Sequence, residues 1–96
     1  MKINHDGKRY NTDNCKVIAK QHLYSHSNNY AGTKYLIAAS DGQLLAWTDT
    51  NGQDCWITDD LSAVDCNLAK SMLDKMDLDP DQEVLAVDLG LITLIN

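Results

Sequence analysis

The sequence lacks the features of a membrane protein or of a disulfide-bonded one. Its longest apolar runs are far too short to span a bilayer, and no signal-peptide apolar region follows Met1 and Lys2. The three cysteines, Cys15, Cys55 and Cys66, are odd in number and form no CxxC pair. We therefore expect reduced, partly buried thiols and a cytoplasmic protein that makes no membrane contact.

The sequence also lacks the local motifs of an enzyme. No serine, cysteine or histidine stands in a nucleophile elbow or in another recognised catalytic motif. The five glycines are placed one at a time at predicted turns, so none of them builds a loop that could cradle a phosphate. We predict a non-enzymatic protein that uses no cofactor.

Basic residues are scarce in the second half of the chain. Residues 49–96 hold eleven acids against two lysines, a net charge of −9, whereas residues 1–48 hold six basic residues against three acids, a net charge of +3. Thirteen of the fourteen acids are Asp, which favours helix caps and turns over helix interiors. Such a surface repels nucleic acid and attracts basic partners, so we predict no direct binding to nucleic acid.

Length and composition indicate one globular unit. The chain has 96 residues, of which 44% are hydrophobic and 23% charged, and residues 1–96 are predicted to form a single α+β domain. At its start, Lys2–Asn4 and Arg9–Asn11 are predicted to pair as an N-terminal β-hairpin around a type I′ turn at Asp6 and Gly7.

A helix is predicted to follow this hairpin. Thr12 would be its N-cap, and the helix would run from Asp13 to Tyr24. The residues that recur at helical spacing on its buried face are Cys15, Ile18, Ala19, His22 and Leu23. Ser25–Gly32 is predicted to be a polar loop.

A three-stranded antiparallel meander is predicted next. Its strands are Thr33–Ser40, Gln43–Thr50 and Gln53–Thr58, joined by two-residue turns at Asp41-Gly42 and Asn51-Gly52. Such turns fix the register, and this register places Leu36, Trp47 and Trp56 on one face, with Trp47 directly opposite Trp56.

The same register brings charged side chains together in one row across the meander. Lys34, Asp49 and Asp54 would form one row, in which Asp49 faces Asp54. A pair of like charges in directly opposite positions costs stability. Either this turn is longer than two residues, or the edge is kept acidic for a purpose.

A second helix is predicted over Ala63–Met76. Ser62 would be its N-cap, Asp65 would complete a capping box and Leu61 would act as a hydrophobic staple.

A short helical turn and a C-terminal strand are predicted to complete the fold. Asp79 and Pro80 have the pattern of an N-cap and a first helical residue, and Gly90 would end this helix. Leu91–Ile95 is predicted to be the strand.

Two patterns leave a metal site open as an alternative. The acids at positions 1, 3, 5, 7 and 12 of a calcium-loop frame are Asp77, Asp79, Asp81, Glu83 and Asp88. Gln82, however, replaces the glycine that such a loop needs for its sharp turn, and a helix cap explains the same acids. His22 and His26 could present two nitrogens to zinc from one helix, but no third ligand is evident. We predict no metal ligands.

The acidic surface itself is the strongest candidate for a binding site. Carboxylates held on a rigid scaffold can imitate the negative charges of a nucleic-acid backbone and so bind a groove of Lys and Arg built for phosphates. The residues predicted to contact such a partner are Asp49, Asp54, Asp59, Asp60, Asp77, Asp79, Asp81 and Glu83.

The stretch DGKRYNTDNCKVIA, Asp6–Ala19, resembles the opening of small accessory proteins carried by phages and other mobile elements. In those proteins a G-K-x-Y-[DN]-T-[DE] hairpin runs into a helix, followed by a short meander and a second helix. Some small acidic proteins of the same genomic settings are anti-CRISPR proteins, a few of which look like DNA to the surveillance complex they block. The resemblance implies an inhibitor of a nucleic-acid-binding machine and carries no site residues over.

The leading hypothesis is therefore a non-enzymatic, anti-CRISPR-type inhibitor that presents acidic side chains to a basic nucleic-acid-binding protein or complex. The alternative is a phage or integron-cassette protein that acts as a homodimer or as a metal-binding module.

Overall fold

The computed structural model describes residues 1–24, 29–50 and 59–95. In them the chain forms a two-stranded and a four-stranded antiparallel sheet together with two helices, which confirms the α+β class. The strands are β1 (Lys2–His5), β2 (Lys8–Asn11), β3 (Lys16–Tyr24), β4 (Tyr30–Ala38), β5 (Leu44–Asp49) and β6 (Asp60–Val64). The helices are α1 (Cys66–Leu73) and α2 (Pro80–Asp88).

The N-terminal hairpin has the predicted form. β1 and β2 are antiparallel, with Ile3 opposite Tyr10 and His5 opposite Lys8. Asp6 has φ 51° and Gly7 has φ 75°, and two consecutive positive φ angles define the type I′ turn that suits the twist of a hairpin. The predicted hairpin is therefore confirmed. The sequence could predict it because the conformation of this turn depends on two neighbouring residues, Asp and Gly.

The predicted helix Asp13–Tyr24 is wrong. Thr12–Asn14 forms one 3₁₀ turn, which Asn11 caps in place of Thr12, and the chain then continues as β3. A bulge between Val17 and Ala19 makes two consecutive residues, Ile18 and Ala19, fully buried. It therefore removes the alternation that identifies a strand and leaves apolar residues at helical spacing.

β4 begins earlier than predicted, because Tyr30–Gly32 belongs to the strand and not to a loop. Gly32 is buried against β5: a Cβ atom there would lie 2.7 Å from the backbone oxygen of Asp49. Glycine is thus required here by the close approach of two backbones, whereas in sequence it has the appearance of a loop residue. Of the predicted loop, residues 25–28 lie outside the described residues.

The connection between β4 and β5 is one residue longer than predicted. The Ala39 N–H donates to the Gln43 carbonyl, closing a three-residue loop over 40–42 in which Gly42 has φ 90°. The register therefore pairs Leu36 with Ala46 and Tyr35 with Trp47. A shift of one residue reverses the faces, so the prediction that Leu36 and Trp47 share a face is wrong.

The predicted row of charged residues is also wrong. Lys34 lies opposite Thr48, and Asp49 lies opposite Thr33, so the Lys34 and Asp49 side chains project from opposite faces of the sheet. Asp54 lies outside the described residues.

The strand beside β5 is β6, which lies later in the chain than predicted. Trp47 faces Leu61 of β6 and stacks on Tyr35 of β4, with ring centroids 4.9 Å apart. Tyr35 and Leu61 therefore occupy the positions directly opposite Trp47 on its two neighbouring strands, and Trp56, its predicted partner, lies outside the described residues. Thr48 lies opposite Asp60, so a two-residue turn does not join β5 to its partner. The predicted strand 53–58 and its turn lie outside the described residues.

The second helix is confirmed in a shorter form, α1. Asp65 is its N-cap, accepting a hydrogen bond from the Leu68 N–H at 2.8 Å. Ser62 lies inside β6, opposite Ala46, so the prediction of Ser62 as N-cap is wrong. Ser and Asp are both favoured at a helix N-cap. Asp65 is the N-cap here because the pairing of β6 with β5 keeps Ser62 in the strand.

The short third helix is confirmed as α2. Asp79 is its N-cap, Pro80 follows, and Gln82 completes a capping box with Asp79. Gly90, with φ 75°, ends the helix as predicted.

The predicted final strand, Leu91–Ile95, is wrong. The Leu91 N–H donates to the Ala86 carbonyl, and the Gly90 N–H donates to the Val87 carbonyl. These bonds form a Schellman motif, in which the first apolar residue after the glycine packs back on the helix. Leu91 is accordingly buried, whereas Leu94 and Ile95 are exposed.

The four-stranded sheet, in the order β3-β4-β5-β6, has a core on each face. The helix-side core consists of Ile18, Ala19, Leu36, Ala38, Leu44, Ala46, Val64, Ala69, Leu73, Met76, Ala86 and Leu91. The hairpin-side core consists of Tyr10, Ile37, Leu45 and Leu61, with Ile3, Tyr35 and Trp47 packed against it. The fold thus has three layers: hairpin, sheet and helices.

Asp79 and Asp81 allow a direct test of the α2 cap. Replacing Asp79 with Ala should lower the free energy of unfolding by about 1 kcal/mol, because the Gln82 N–H loses its acceptor. Asp81→Ala removes only a favourable charge near the helix N-terminus, worth about 0.3–1 kcal/mol and weakened by salt. Urea denaturation at low and high salt should separate the two variants. Equal losses at high salt would contradict the assigned cap.

Candidate functional site

Acidic residues are concentrated where α1 passes into α2. We call this region the acidic corner and define it as Asp74, Asp77, Asp79, Asp81 and Glu83. Asp74 closes α1, Asp77 and Asp79 lie in the connection, and Asp81 and Glu83 lie in the first turn of α2. All are exposed except Glu83, which is half-buried. Five of the fourteen acids therefore fall within ten residues of chain.

The connection that carries the acidic corner is fixed to the rest of the fold. The Asp77 N–H donates to the Lys20 carbonyl at 2.8 Å, and the Lys20 N–H donates to the Asp77 carbonyl at 3.2 Å. Met76, immediately before this bridge, is buried in the helix-side core. The backbone of Asp77 is thus held by strand β3 while its side chain faces solvent.

None of the carboxylates of the acidic corner forms an ion pair within the described residues, although exposed Lys75 lies between Asp74 and Asp77 in the chain. Within 1–24, 29–50 and 59–95, the ion pairs join Lys8 to Asp41 and His5 to Asp6. The negative potential of the acidic corner is therefore not neutralised by contacts inside this part of the chain.

Two of the other predicted contact residues lie where β5 ends and β6 begins. Asp60 is exposed at the first position of β6, and Asp49 is half-buried at the last position of β5. Asp54 lies outside the described residues. Of the eight predicted residues, the structure brings together the four that belong to the acidic corner.

Asp59 has an internal role that sequence patterns do not indicate. Its Oδ1 accepts hydrogen bonds from both the N–H and the Oγ1–H of Thr50, each at 2.8 Å. These two bonds lower the pKa of the Asp59 carboxyl, because they stabilise its charged form. Since Thr50 is buried, this carboxylate joins the two ends of the segment between β5 and β6.

A second cluster, absent from the sequence predictions, lies between the hairpin and the β4–β5 loop. The Tyr10 hydroxyl donates to Asp41 Oδ2 at 2.7 Å, and Lys8 Nζ lies 3.2 Å from the same oxygen. The Gln43 N–H donates to the other oxygen, Oδ1, at 3.1 Å. In sequence, Asp41 is only the first residue of an Asp-Gly turn, and no local signal pairs it with a tyrosine 31 positions earlier.

Electrostatics in this cluster favour a structural role. The hydrogen bond from Tyr10 lowers the pKa of Asp41 to about 2, and the same bond raises the pKa of Tyr10 to about 12. Both shifts stabilise the contact between neutral tyrosine and charged carboxylate, which fastens the hairpin to the sheet. Beside them is a cleft of about 250 Å³ that includes Lys8, Arg9 and Cys15 in its lining.

The cysteines in the described residues have free thiols. Cys15 is half-buried, and its Sγ lies 3.4 Å from the Asn11 carbonyl. Burial, and secondarily the charge of Asp41, raise the pKa of Cys15, so its thiol stays protonated near neutral pH. Cys66 is exposed at the start of α1, and Cys55 lies outside the described residues.

The two metal alternatives lose their structural basis. Residues 80–88 form α2, so the acids from Asp77 to Asp88 do not form the calcium loop. His22 lies on strand β3, with Nδ1 3.3 Å from Thr33 Oγ1, and therefore cannot pair with His26 at helical spacing. His26 itself lies outside the described residues. In the part of the chain that the structure describes, no three His, Cys, Asp or Glu residues are grouped to hold a metal ion.

Comparisons with known proteins add no family to this description. No protein-family model matches the chain, and no match is found among curated proteins or solved structures. Neither helix in the described residues has the length and apolar character needed to cross a membrane.

The Tyr10–Asp41 contact predicts a dependence of stability on pH. Because the folded-state pKa of Asp41 is lowered to about 2, its stabilising contribution is present above about pH 4 and is lost as pH falls toward 2. Because the folded-state pKa of Tyr10 is raised to about 12, its contribution is present below about pH 10 and is lost as pH rises toward 12.

Thermal unfolding midpoints measured from pH 2 to 12 test this dependence. Tyr10→Phe should lower the midpoint at neutral pH and flatten both limbs of the profile, because the variant lacks the hydroxyl that Asp41 accepts from. Tyr24→Phe, at an exposed position of β3, is the matched control and should leave the profile unchanged. Identical profiles for wild type and Tyr10→Phe would contradict the assigned role.

Proposed function

We propose that this chain is a non-enzymatic binding protein that presents its acidic corner to the basic groove of a nucleic-acid-binding protein or complex. The observation that carries the proposal is the fixed backbone of the acidic corner, where the Lys20–Asp77 bridge and the Asp79 cap hold the chain while carboxylates remain exposed. A pre-organised charged surface binds more tightly than a flexible one, because less conformational entropy is lost on association.

The spacing of the carboxylates supports the same proposal. Asp77 and Asp79 are two residues apart in this connection, so their Cα atoms are at most roughly 7 Å apart. Regularly spaced negative charges on a rigid surface are what a groove of Lys and Arg recognises in a nucleic-acid backbone. The net charge of −6 would also accelerate encounter with a basic partner at low salt.

The finer proposal is that the partner is an RNA-guided surveillance complex and that the chain acts as an anti-CRISPR-type inhibitor. It rests on the resemblance of Asp6–Ala19 to small proteins of phages and other mobile elements, together with the exposed acidic surface. Such an inhibitor would compete with target DNA for the same basic groove, so its effect would be reversed by excess DNA and by salt.

Charge reversal at the acidic corner tests both levels of the proposal. The variant Asp77→Lys/Asp81→Lys changes two exposed carboxylates and leaves the Asp79 cap intact. The measurement is target-DNA binding by a panel of purified surveillance complexes, with the protein titrated against each complex at two salt concentrations. Wild type should inhibit at least one complex, and the variant should lose about tenfold or more in potency, with a weaker salt dependence.

The matched control is Asp13→Lys/Asp88→Lys, which makes the same change in net charge at exposed positions outside the acidic corner. It should inhibit as wild type does. Equal losses in the two variants would show that net charge, and not the acidic corner, determines binding. If wild type inhibits no complex, the anti-CRISPR proposal is wrong, and binding to other basic proteins then tests the broader one.

Self-association is a second candidate, favoured by exposed apolar side chains in the last part of the chain. Val84 is 59% exposed, Leu94 54% and Ile95 89%. These three residues lie within twelve positions of the chain, and contiguous exposed apolar patches mark interaction surfaces in many proteins.

Light scattering coupled to size-exclusion chromatography tests this candidate across a concentration series. A homodimer would give twice the mass of 10.7 kDa, and Val84→Ser/Ile95→Ser should return it to the monomer mass. The control variant is Val17→Ser, at an exposed position of β3. Leu23→Ser would not be a suitable control, because Leu23 is half-buried. A monomer mass at all concentrations would exclude this candidate.

A further inference from the structure

A groove of about 190 Å³ lies between the helix-side face of the sheet and α1. Gln21 of β3 and Lys34 of β4 form one wall. Ser71 and Lys75, from α1 and the residues after it, are on the other side, with Met72 and Met76 completing the lining. Two lysines from different layers of the fold therefore line one small groove in a protein whose net charge is −6.

Lys34 is half-buried, and no acid is paired directly with it in the four described strands of the sheet. Its partners across the neighbouring strands are Gln21 and Thr48, both uncharged. In the described residues, neither Lys34 nor Lys75 takes part in an ion pair. Because Lys34 is half-buried, its side chain is less hydrated than that of a fully exposed lysine, and no ion pair among the described residues compensates for this. Lys75 is exposed and Lys34 is half-buried, and together they place two positive charges beside one groove.

The remaining groups of the groove select the kind of anion. The side chains of Gln21 and Ser71 can donate hydrogen bonds to oxygen atoms. Met72 is partly buried and Met76 is buried, and thioether side chains adapt to small apolar groups. The volume equals that of about six water molecules at ~30 Å³ each, so a ligand of comparable size would fill it.

We propose that this groove is a binding site for a small organic anion, a carboxylate or a phosphate that carries a short apolar chain. Lys34 and Lys75 hold the anionic head group, and Met72 and Met76 contact the chain. This site adjoins the acidic corner, since Lys75 lies between Asp74 and Asp77 in the chain, but it differs from the surface of the proposed function because it takes a small ligand in place of a protein.

The cleft beside Tyr10 offers a useful contrast. Lys8 in that cleft is already paired with Asp41, and Arg9 Nη1 donates to Asn4 at 3.2 Å. Its basic groups are therefore engaged within the chain, whereas Lys34 and Lys75 of the groove form no ion pair with any residue that the structure describes. The groove is therefore a stronger candidate for an anion site than the cleft beside Tyr10, although its volume is smaller.

The methionine methyl groups provide a direct measurement of binding. The chain has three methionines: Met72 and Met76 line the groove, and Met1 lies at the start of the hairpin and serves as an internal reference. Methyl NMR spectra of the full chain are recorded during titration with butanoate and, separately, with butyl phosphate. The Met72 and Met76 signals should shift in a saturable way with a dissociation constant on the order of 1 mM, while Met1 stays unchanged.

Ligand controls separate charge from hydrophobicity. Acetate has the head group of butanoate with a shorter chain and should bind more weakly. Butylammonium has the same chain with the opposite charge and should not bind. The stronger of butanoate and butyl phosphate identifies the head group. Failure of both to shift Met72 and Met76, or equal shifts with butylammonium, would overturn the proposal.

Two lysine variants and a matched control complete the experiment. Lys34→Gln and Lys75→Gln should each weaken binding by at least about fivefold, because each removes a charge-assisted contact. Lys70→Gln removes an exposed lysine of α1 that does not line the groove and should leave the dissociation constant unchanged. Amide spectra establish that each variant is folded. Equal affinities in all three variants would also overturn the proposal.

Discussion

The hydrogen bond from the Ala39 N–H to the Gln43 carbonyl sets the register on which the rest of the fold depends. By closing a loop of three residues, it turns Leu36 and Ala46 toward the helices and Trp47 toward the hairpin. Each face of the sheet thereby receives its own set of apolar side chains, and both the helices and the hairpin find a surface on which to pack. Asp41, inside the loop, then accepts a hydrogen bond from the hydroxyl of Tyr10 and so holds the hairpin against the sheet.

The two candidate sites follow from this arrangement in different ways. Lys34 lies on the helix-side face, two residues from Leu36 on β4, and the register places uncharged Thr48 opposite it in place of Asp49. The acidic corner depends instead on β3, since Lys20 holds the backbone of Asp77. One sheet thus supports a basic groove on one of its faces and an acidic surface at one of its edges.

Features decided within a few residues could be predicted from the sequence. The type I′ turn at Gly7, the Asp79 cap and the helix end at Gly90 each depend on neighbours along the chain. Predictions that depend on distant pairing were wrong. The bulge at Ile18 concealed a strand, and a two-residue and a three-residue loop are equally compatible with an Asp-Gly pair. The acidic corner could be predicted from the composition of the sequence. The groove could not, because it depends on the register of the sheet.

The bridge between Lys20 and Asp77 has a further consequence for the outer edge of the sheet. β3 is an edge strand of nine residues, and an unpaired edge of that length is a template on which another chain can add a strand. The bridge occupies the middle of this edge, and the bulge at Ile18 distorts the part before it. Among the residues that the structure describes, the part of this edge left without a neighbouring strand is the short stretch of β3 that follows Lys20. The contact that orients the carboxylates therefore also protects the protein against growth of intermolecular sheets.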